Sequence, residues 1–429
     1  MTSGLVPPAL AWVVSPHMGM VREIHETTVE AGLPRFVNVA VSASRTKPIT
    51  GAEVNTRAGS CHFSRSEAWC AAIGETIERF SAAYVSPEAI RLGTAAEIGP
   101  EAVGPDVLRL YRADLAAGSG YFNAEAQTVL GWCSGTRLSD GAPRALPAQM
   151  VYLGYHRGAG EPRLGMFTSS GLCCERSLPA AVLGGLLEQI ERDAIMLTWR
   201  LRMSLPRLDW ERDPAFARIA GLMRGVRPEL TLLDASAFLR VPVVMSVLRD
   251  PHATYPVGVV VGASAGLTVA DAALSAFREA FQTLLMASLI ARNADAEGTG
   301  EILDEHVARF VPADGARRAD FLTEAPDIVA AESVPSISAT GPLEALRKVT
   351  RRLDDAGVEA VAFDLTTTDV AGLGLHVARL FCPELVWLDV DFDHPFDGRP
   401  RLDTVAREHG LPLDADGRAR VNPDPHPLP

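Results

Sequence analysis

The sequence predicts a fold that mixes α-helix with β-sheet, of the α/β or α+β class. Three observations carry this: three long stretches with helical apolar spacing, several short runs rich in β-branched residues, and an order of the two too irregular for simple alternation. A chain of 429 residues, 47% hydrophobic and 22% charged, is long enough to bury a sizeable core.

The first helix is expected over 64–84, "SRSEAWCAAIGETIERFSAAY", where Ser64 and, three residues on, Glu67 form a capping box. The second spans 177–201, "SLPAAVLGGLLEQIERDAIMLTWRL", with Ser177 as N-cap and Pro179 tolerated in the first turn. The third, 268–292, is apolar on most faces and is expected to be buried. Strands are expected at 241–249, 257–264, 359–367 and 375–381, from their Val, Ile and Thr content.

The net charge of −13, with no basic run, argues against nucleic acid or an anionic membrane as the main partner. The N-terminus carries no secretion signal and no apolar run reaches membrane-spanning length, so a cytoplasmic protein is expected. The six cysteines lack paired Cys-x-x-Cys spacing and are read as reduced, mostly buried small apolar residues.

The chemistry lies in a repeat. In "GETIERF" Glu75, Glu78 and Arg79 share one helix face at i, i+3 and i+4, and in "LEQIERD" Glu188, Glu191 and Arg192 do the same. The third helix adds Glu279 and Gln282, again three apart. A single such triplet is ordinarily a solvated face with intrahelical ion pairs. Here the surrounding positions are apolar, and each copy follows a short segment rich in Gly, Ser and Cys, "RAGSCHFS" and "TSSGLCCERS". Carboxylates on nearly buried helices are costly unless paired or bound to cations. Converged, they suit Mg²⁺, a hard cation taken up with nucleotide phosphates, while Arg79 and Arg192 would receive phosphate oxygens and the small-residue segments would lend backbone donors. No P-loop motif occurs, so the residues point to a Mg-nucleotide site of another kind.

Three segments, "SEAWCAAIGETIERF", "TSSGLCCERSLPAAVLGGLLEQIERDAIMLTW" and "ALSAFREAFQTL", resemble in order and spacing the signature blocks of the YcaO family, ATP-dependent enzymes that modify peptide backbones. The resemblance continues through 364–385 and implies a YcaO-like fold with mixed sheets and buried helices, divided into a lead-in at 1–35, a YcaO domain with a Mg-ATP site at 36–405, and a proline-rich tail at 406–429. It assigns metal binding to Glu75, Glu78, Glu188, Glu191 and Glu279, with Arg79, Arg192, Ser170 and Gln282 on the nucleotide. The chain departs from the family pattern at Ala71, where a Ser is frequent, and at Ser169-Ser170-Gly171, where Ser-Asn-Gly is frequent. Arg176, Ala180 and the Ala58-Gly59-Ser60 stretch also differ, which brings the nucleotide contacts of the 169–180 loop into question.

The chain finishes "VNPDPHPLP", with prolines at 423, 425, 427 and 429. Read alone this is a disordered polyproline segment or a ligand for another protein. It is similar to the ending of the azoline-forming YcaO branch, whose terminus enters the active site, and favours that branch over the thioamide-forming one. The resemblance then implies a cyclodehydratase. A Cys, Ser or Thr of a precursor peptide attacks the preceding carbonyl, ATP phosphorylates the resulting oxygen, and a thiazoline or oxazoline remains. The base is expected in the tail, as the carboxylate of Pro429 or, less favoured, His426. Such proteins work with an E1-like or ThiF-like partner that binds the leader, for which 35 residues are too few, and sometimes with a flavin-dependent dehydrogenase; a homodimer or hetero-oligomer is implied. A catalytically degenerate scaffold and a peptide-binding module are the readings from other classes.

Overall fold

The computed structural model describes residues 6–27, 32–51, 54, 57–112, 118–250, 257–292, 306, 308–310 and 312–428. Within them three sheets each carry one long helix. The first sheet is an antiparallel meander of β1 (Val21–Thr27), β2 (Val37–Ala43) and β3 (Arg57–His62). Later in the chain come β4 (Arg91–Gly93), β5 (Leu130–Arg137), β6 (Pro143–Pro147), β7 (Leu172–Glu175), β8 (Arg207–Leu208), β9 (Glu229–Asp234), β10 (Val243–Arg249), β11 (Val259–Ala265), β12 (Ile328–Val329), β13 (Val361–Asp364) and β14 (His376–Phe381). The second sheet runs β11-β10-β9-β8-β12, and the third β4-β5-β13-β14-β7 with β6 paired to β5.

The long helices are α1 (Arg65–Ala83), α2 (Leu178–Arg200) and α3 (Val269–Arg292). Both expected N-caps are made: Ser64 Oγ accepts the Glu67 N–H at 3.2 Å, and Ser177 Oγ the Ala180 N–H at 3.4 Å. Each helix packs on its own sheet and also touches the next one. Helix α1 lies on β3 and β2 and reaches β7; α2 lies on β14 and β7 and reaches β11; α3 lies on β11 and β10 and reaches β3. The three helix–sheet pairs therefore close a cycle. Of the described residues, no helix is long and apolar enough to cross a membrane, and all six cysteines are unpaired.

The segment "RAGSCH", expected to be a small-residue loop, is strand β3, and "LCCE" is strand β7. Small side chains let the neighbouring helix approach these strands closely, which propensity alone does not reveal. The two ends of the chain join the main core: Val6 and Val13 near one end, Leu428 near the other. Helix Pro400–Glu408 runs across residue 405.

From Asn422 onward the proline-rich segment is bound at the C-terminal end of α2. The Asn422 N–H donates to the Arg200 carbonyl at 2.7 Å, and the Trp199 indole N–H to the Asp424 carbonyl at 2.8 Å. Arg318 pairs with the Asp424 carboxylate at 2.9 Å, and the His426 ring stacks on His306 at 4.3 Å between centroids. His426 and Leu428 are wholly buried. Alternate prolines keep this stretch extended, so little chain entropy is lost in fixing it.

Candidate active site

Every glutamate of the repeat accepts a backbone N–H, and the sheet that supplies it follows the cycle of helices. On α1, Glu75 Oε2 accepts the Gly59 N–H of β3 at 3.0 Å, while Glu78 Oε1 accepts the Cys174 N–H of β7 at 2.7 Å. On α2, Glu188 Oε2 accepts the Gly171 N–H, in the turn entering β7, at 2.7 Å, and Glu191 Oε2 accepts the Ala265 N–H of β11 at 3.2 Å. On α3, Glu279 Oε2 accepts the Ala263 N–H of β11 at 2.8 Å. The first glutamate of each helix thus bonds its own sheet and the second bonds the next. Gln282 occupies the second position on α3 and sits against β3: a side chain added at Gly59 would lie 3.8 Å from its Nε2. The cycle closes where it began, at the residue that holds Glu75.

The backbone donors expected to serve an external anion are therefore engaged by the chain's own carboxylates. A helix-borne carboxylate facing an edge strand reaches that strand's unpaired N–H before a ligand does.

The arginines lie among these acids. Arg79 Nη2 is 2.6 Å from Glu75 Oε1, and its Nη1 donates to the Arg57 carbonyl. Arg192 pairs with Glu188 at 3.3 Å and with Glu191 at 3.4 Å, while its Nε and Nη1 make no hydrogen bond. Burial and then the Glu75 charge push the Glu78 carboxyl well above its ordinary value, against the Cys174 amide. Burial pushes Glu191 up to about 8, with Arg192 opposing and Glu279 and Glu188 adding to the rise. Glu279 is raised by burial against the pull of Arg192, with Glu188 adding to the rise. Burial alone would lower Arg192, and Glu191, Glu188 and Glu279 together more than reverse it. These mutual effects bring Glu75, Glu78, Glu188, Glu191, Glu279 and Arg192 into one electrostatic cluster.

No group of three or more His, Cys, Asp or Glu side chains among the described residues stands at metal-holding distances. The chemistry of the donor set nonetheless fits a hard divalent cation: the oxygens are carboxylates whose values are raised first by burial and then by one another's charge, both of which a bound cation would offset.

The turn entering β7 holds Ser170, whose Oγ lies 2.8 Å from Thr168 Oγ1 and whose N–H donates to that same atom at 3.2 Å. Gly171 has φ +85°, and a Cβ there would come within 2.3 Å of the Leu380 carbonyl, so only glycine fits. His426 lies at the other end of α2. Its Nε2 faces the Asp389 carbonyl at 2.6 Å and its Nδ1 accepts the Leu428 N–H at 3.3 Å, so both ring nitrogens are used within the protein. Burial lowers it to about 3. Pro429 lies outside the described residues. Two arginines not singled out from the sequence belong to the neighbourhood. Arg278, whose Nη1 is 3.2 Å from His62 Nδ1, acts on Glu279, and Arg379 on β14 acts on Glu188. A lone charge inside the apolar strand "HVARLF" is the signal by which Arg379 was legible.

The sequence model of the YcaO family, described as a YcaO cyclodehydratase binding ATP and Mg²⁺, matches residues 60–386, more than half of the chain. An uncharacterized protein of Methanothermobacter thermautotrophicus is 26% identical over 277 residues, 63% of this chain and 69% of its own. Among solved structures, a heterocyclase in complex with substrate and cofactor superposes with a TM-score of 0.77 at 21% identity, over 97% of this chain and 56% of that one. The heterocyclase TruD gives 0.68 at 22% identity, covering 85% and 51%. YcaO from Methanopyrus kandleri, bound with AMPPCP and Mg²⁺, gives 0.64 at 20% identity, covering 87% and 89%. The chain spans about half the length of the two heterocyclases, and at these identities the likeness is one of fold. Two helices with paired glutamates, a third with Glu279 and Gln282 at the same spacing, the three sheets that receive them and the family match over 60–386 lead to one conclusion: the chain belongs to the YcaO family of ATP- and Mg²⁺-binding cyclodehydratases.

Proposed function

We propose that this chain is an ATP-dependent peptide cyclodehydratase of the azoline-forming kind, acting on Cys, Ser or Thr of a ribosomally made precursor peptide. The observation that carries the reading is geometric: five glutamates from three helices, each held by a strand or turn amide around the closed cycle of helices and sheets, with Arg192 paired to two of them. The similarity of fold to two heterocyclases supports the choice of reaction.

In this reading Glu78, Glu188, Glu191 and Glu279 hold Mg²⁺, and the metal when bound supplies charge neutralisation at the transferring phosphoryl group. Arg192 offers its Nε, which makes no hydrogen bond within the protein, to a phosphate oxygen, while Nη2 and Nη1 stay paired with Glu188 and Glu191. Arg79 is fixed by Glu75 and the Arg57 carbonyl, and holds Glu75 in place. The peptide's sulfur or hydroxyl oxygen bonds to the preceding carbonyl carbon. The γ-phosphoryl group of ATP then passes to the former amide oxygen, ADP departs, and phosphate leaves as the C=N bond forms and the nitrogen loses its proton. His426 serves as the anchor of the proline-rich segment, because both of its nitrogens are engaged.

A partner that binds the precursor's leader, resembling E1-like or ThiF-like proteins, belongs to this proposal. A solved relative of this fold is part of the E. coli microcin synthetase McbBCD complex. The test is mass spectrometry of a Cys-containing precursor incubated with this chain, the leader-binding partner and Mg-ATP. One water lost per ring, dependent on ATP, is expected; an unmodified peptide alongside a phosphate-releasing, properly folded chain would sink the reading.

A further inference from the structure

We propose that Arg379 is a positioning residue for this site, holding the Thr168–Gly171 turn so that the Ser170 hydroxyl and Glu188 are set for the nucleotide. The inference deepens the proposed function and rests on it.

Arg379 is 1% exposed, and among the described residues no carboxylate forms an ion pair with it. Its Nη2 donates to the Thr168 carbonyl at 2.7 Å, while Nε and Nη1 make no hydrogen bond. A buried guanidinium without a carboxylate partner is a costly arrangement for stability alone. Its placement makes sense through the turn it grips. Thr168 is tied at its carbonyl by Arg379 and at its hydroxyl by Ser170. Three residues on, Gly171 gives its N–H to Glu188 and receives the Leu380 N–H, from the residue next to Arg379, at 2.8 Å. Both ends of a four-residue turn are thus held by β14, and one of them also by a glutamate of the cluster. Arg379 and Glu188 are within electrostatic reach of one another, so the same side chain sets the geometry of the turn and adds positive potential behind that glutamate.

The test uses the full chain in the variants R379Q, R379K, S170A and R379Q/S170A. Mg-ATP affinity is measured by calorimetry and amide exchange is followed over 168–172. R379Q is expected to weaken Mg-ATP binding about 10–100-fold, to speed exchange over the turn, and to leave the rest of the exchange map as in the wild type. R379K is expected to fall between. Because Arg379 acts through the turn, R379Q is expected to add little once Ser170 is already removed. Unchanged affinity in R379Q, unchanged exchange over 168–172, or full additivity with S170A each overturns the proposal. Should R379Q fail to fold, the same cycle with R379K decides by the same criterion. A wild-type chain that binds Mg-ATP but leaves the precursor unmodified sinks the proposed reaction and not the role of Arg379. One that binds no nucleotide leaves the exchange measurement to decide whether Arg379 holds the turn.

Discussion

In the α1 copy of the repeat, Glu75 has its own arginine and Glu78 has none at ion-pair distance among the described residues; in the α2 copy, Arg192 lies between Glu188 and Glu191 and pairs with both. The backbone contacts of the two copies are otherwise parallel, each helix bonding its own sheet first and the next sheet second. The reason for the difference is local. Arg79 meets the Arg57 carbonyl at the start of β3, which draws its second nitrogen away from Glu78. Identical spacing on a helix therefore fixes which groups are neighbours, while the strand facing it fixes how the charge is shared. Each copy holds two carboxylates and one guanidinium, so the formal charge is the same; what differs is its sharing, with Arg192 serving both of its glutamates and Glu78 left without a cation at ion-pair distance among the described residues. Glu78 is therefore the carboxylate to which a bound cation would bring most.

The largest effect expected from testing this comparison is on turnover. Glu191→Gln removes the charge that Glu191 would carry with a cation bound, without changing shape, and is expected to lower azoline formation by about 10²–10³-fold or more, while leaving the thermal midpoint near that of the wild type, because the protonated form is already favoured in the metal-free chain. Glu78→Gln is expected to match it. Single-turnover rates in which one variant is within a few-fold of wild type would break the equivalence of the copies.

Next comes the pair of glycines that bond the first glutamates. Gly171→Ala forces a left-handed backbone on alanine and drives its Cβ into the Leu380 carbonyl; it is expected to cost about 1–3 kcal/mol or more. Gly59→Ala brings a Cβ to 3.2 Å from the Val39 carbonyl and is expected to be the milder change. Urea denaturation of both settles it, and equal losses would show that the two glutamate sockets are equally rigid.

The smallest effect is a proton. Glu191 holds its proton up to about 8 in the folded chain and loses it near its ordinary value of 4.5 when unfolded. Between those limits the folded state binds the extra proton, so this group makes stability fall as pH rises through the window. Binding of Mg²⁺ to the carboxylate expels that proton, so at pH 7 uptake of the metal is expected to release protons and to tighten as pH rises toward about 8. Calorimetry in buffers of different ionisation enthalpy reads this directly. Metal binding without proton release would place the cation away from Glu191.

The helices were legible from sequence because their apolar spacing is long and their caps are explicit: expected at 64–84, 177–201 and 268–292, they run Arg65–Ala83, Leu178–Arg200 and Val269–Arg292. The β-branched runs expected at 241–249 and 375–381 were legible for a similar reason, and run Val243–Arg249 and His376–Phe381. Strand β3 was not, since Arg57–His62 is dominated by residues of low strand propensity and owes its conformation to β2 and α1 packed against it. The glutamates could be found, but not their backbone partners, because which strand faces a helix is a property of the topology. The proline-rich ending was legible as stiff; that it is gripped by Arg200, Trp199 and Arg318 depends on residues far away in the chain.

The amide bonded to each glutamate has an evolutionary consequence. Five acidic side chains tie three sheets together as well as forming the candidate site, so selection for a folded protein alone would preserve an oxygen acceptor, Glu or Gln, at these positions after catalysis had ceased. In a lineage drifting toward a purely scaffolding role, these positions would be among the last to lose a side chain of this length and shape. The arginines and the Thr168–Gly171 turn, which contribute less to joining the sheets, would record the loss first. Retention of the Glu/Gln pattern is therefore a marker of descent and of foldability, and activity in distant relatives is better judged by whether the acids themselves persist and at positions equivalent to Arg192, Ser170 and Arg379.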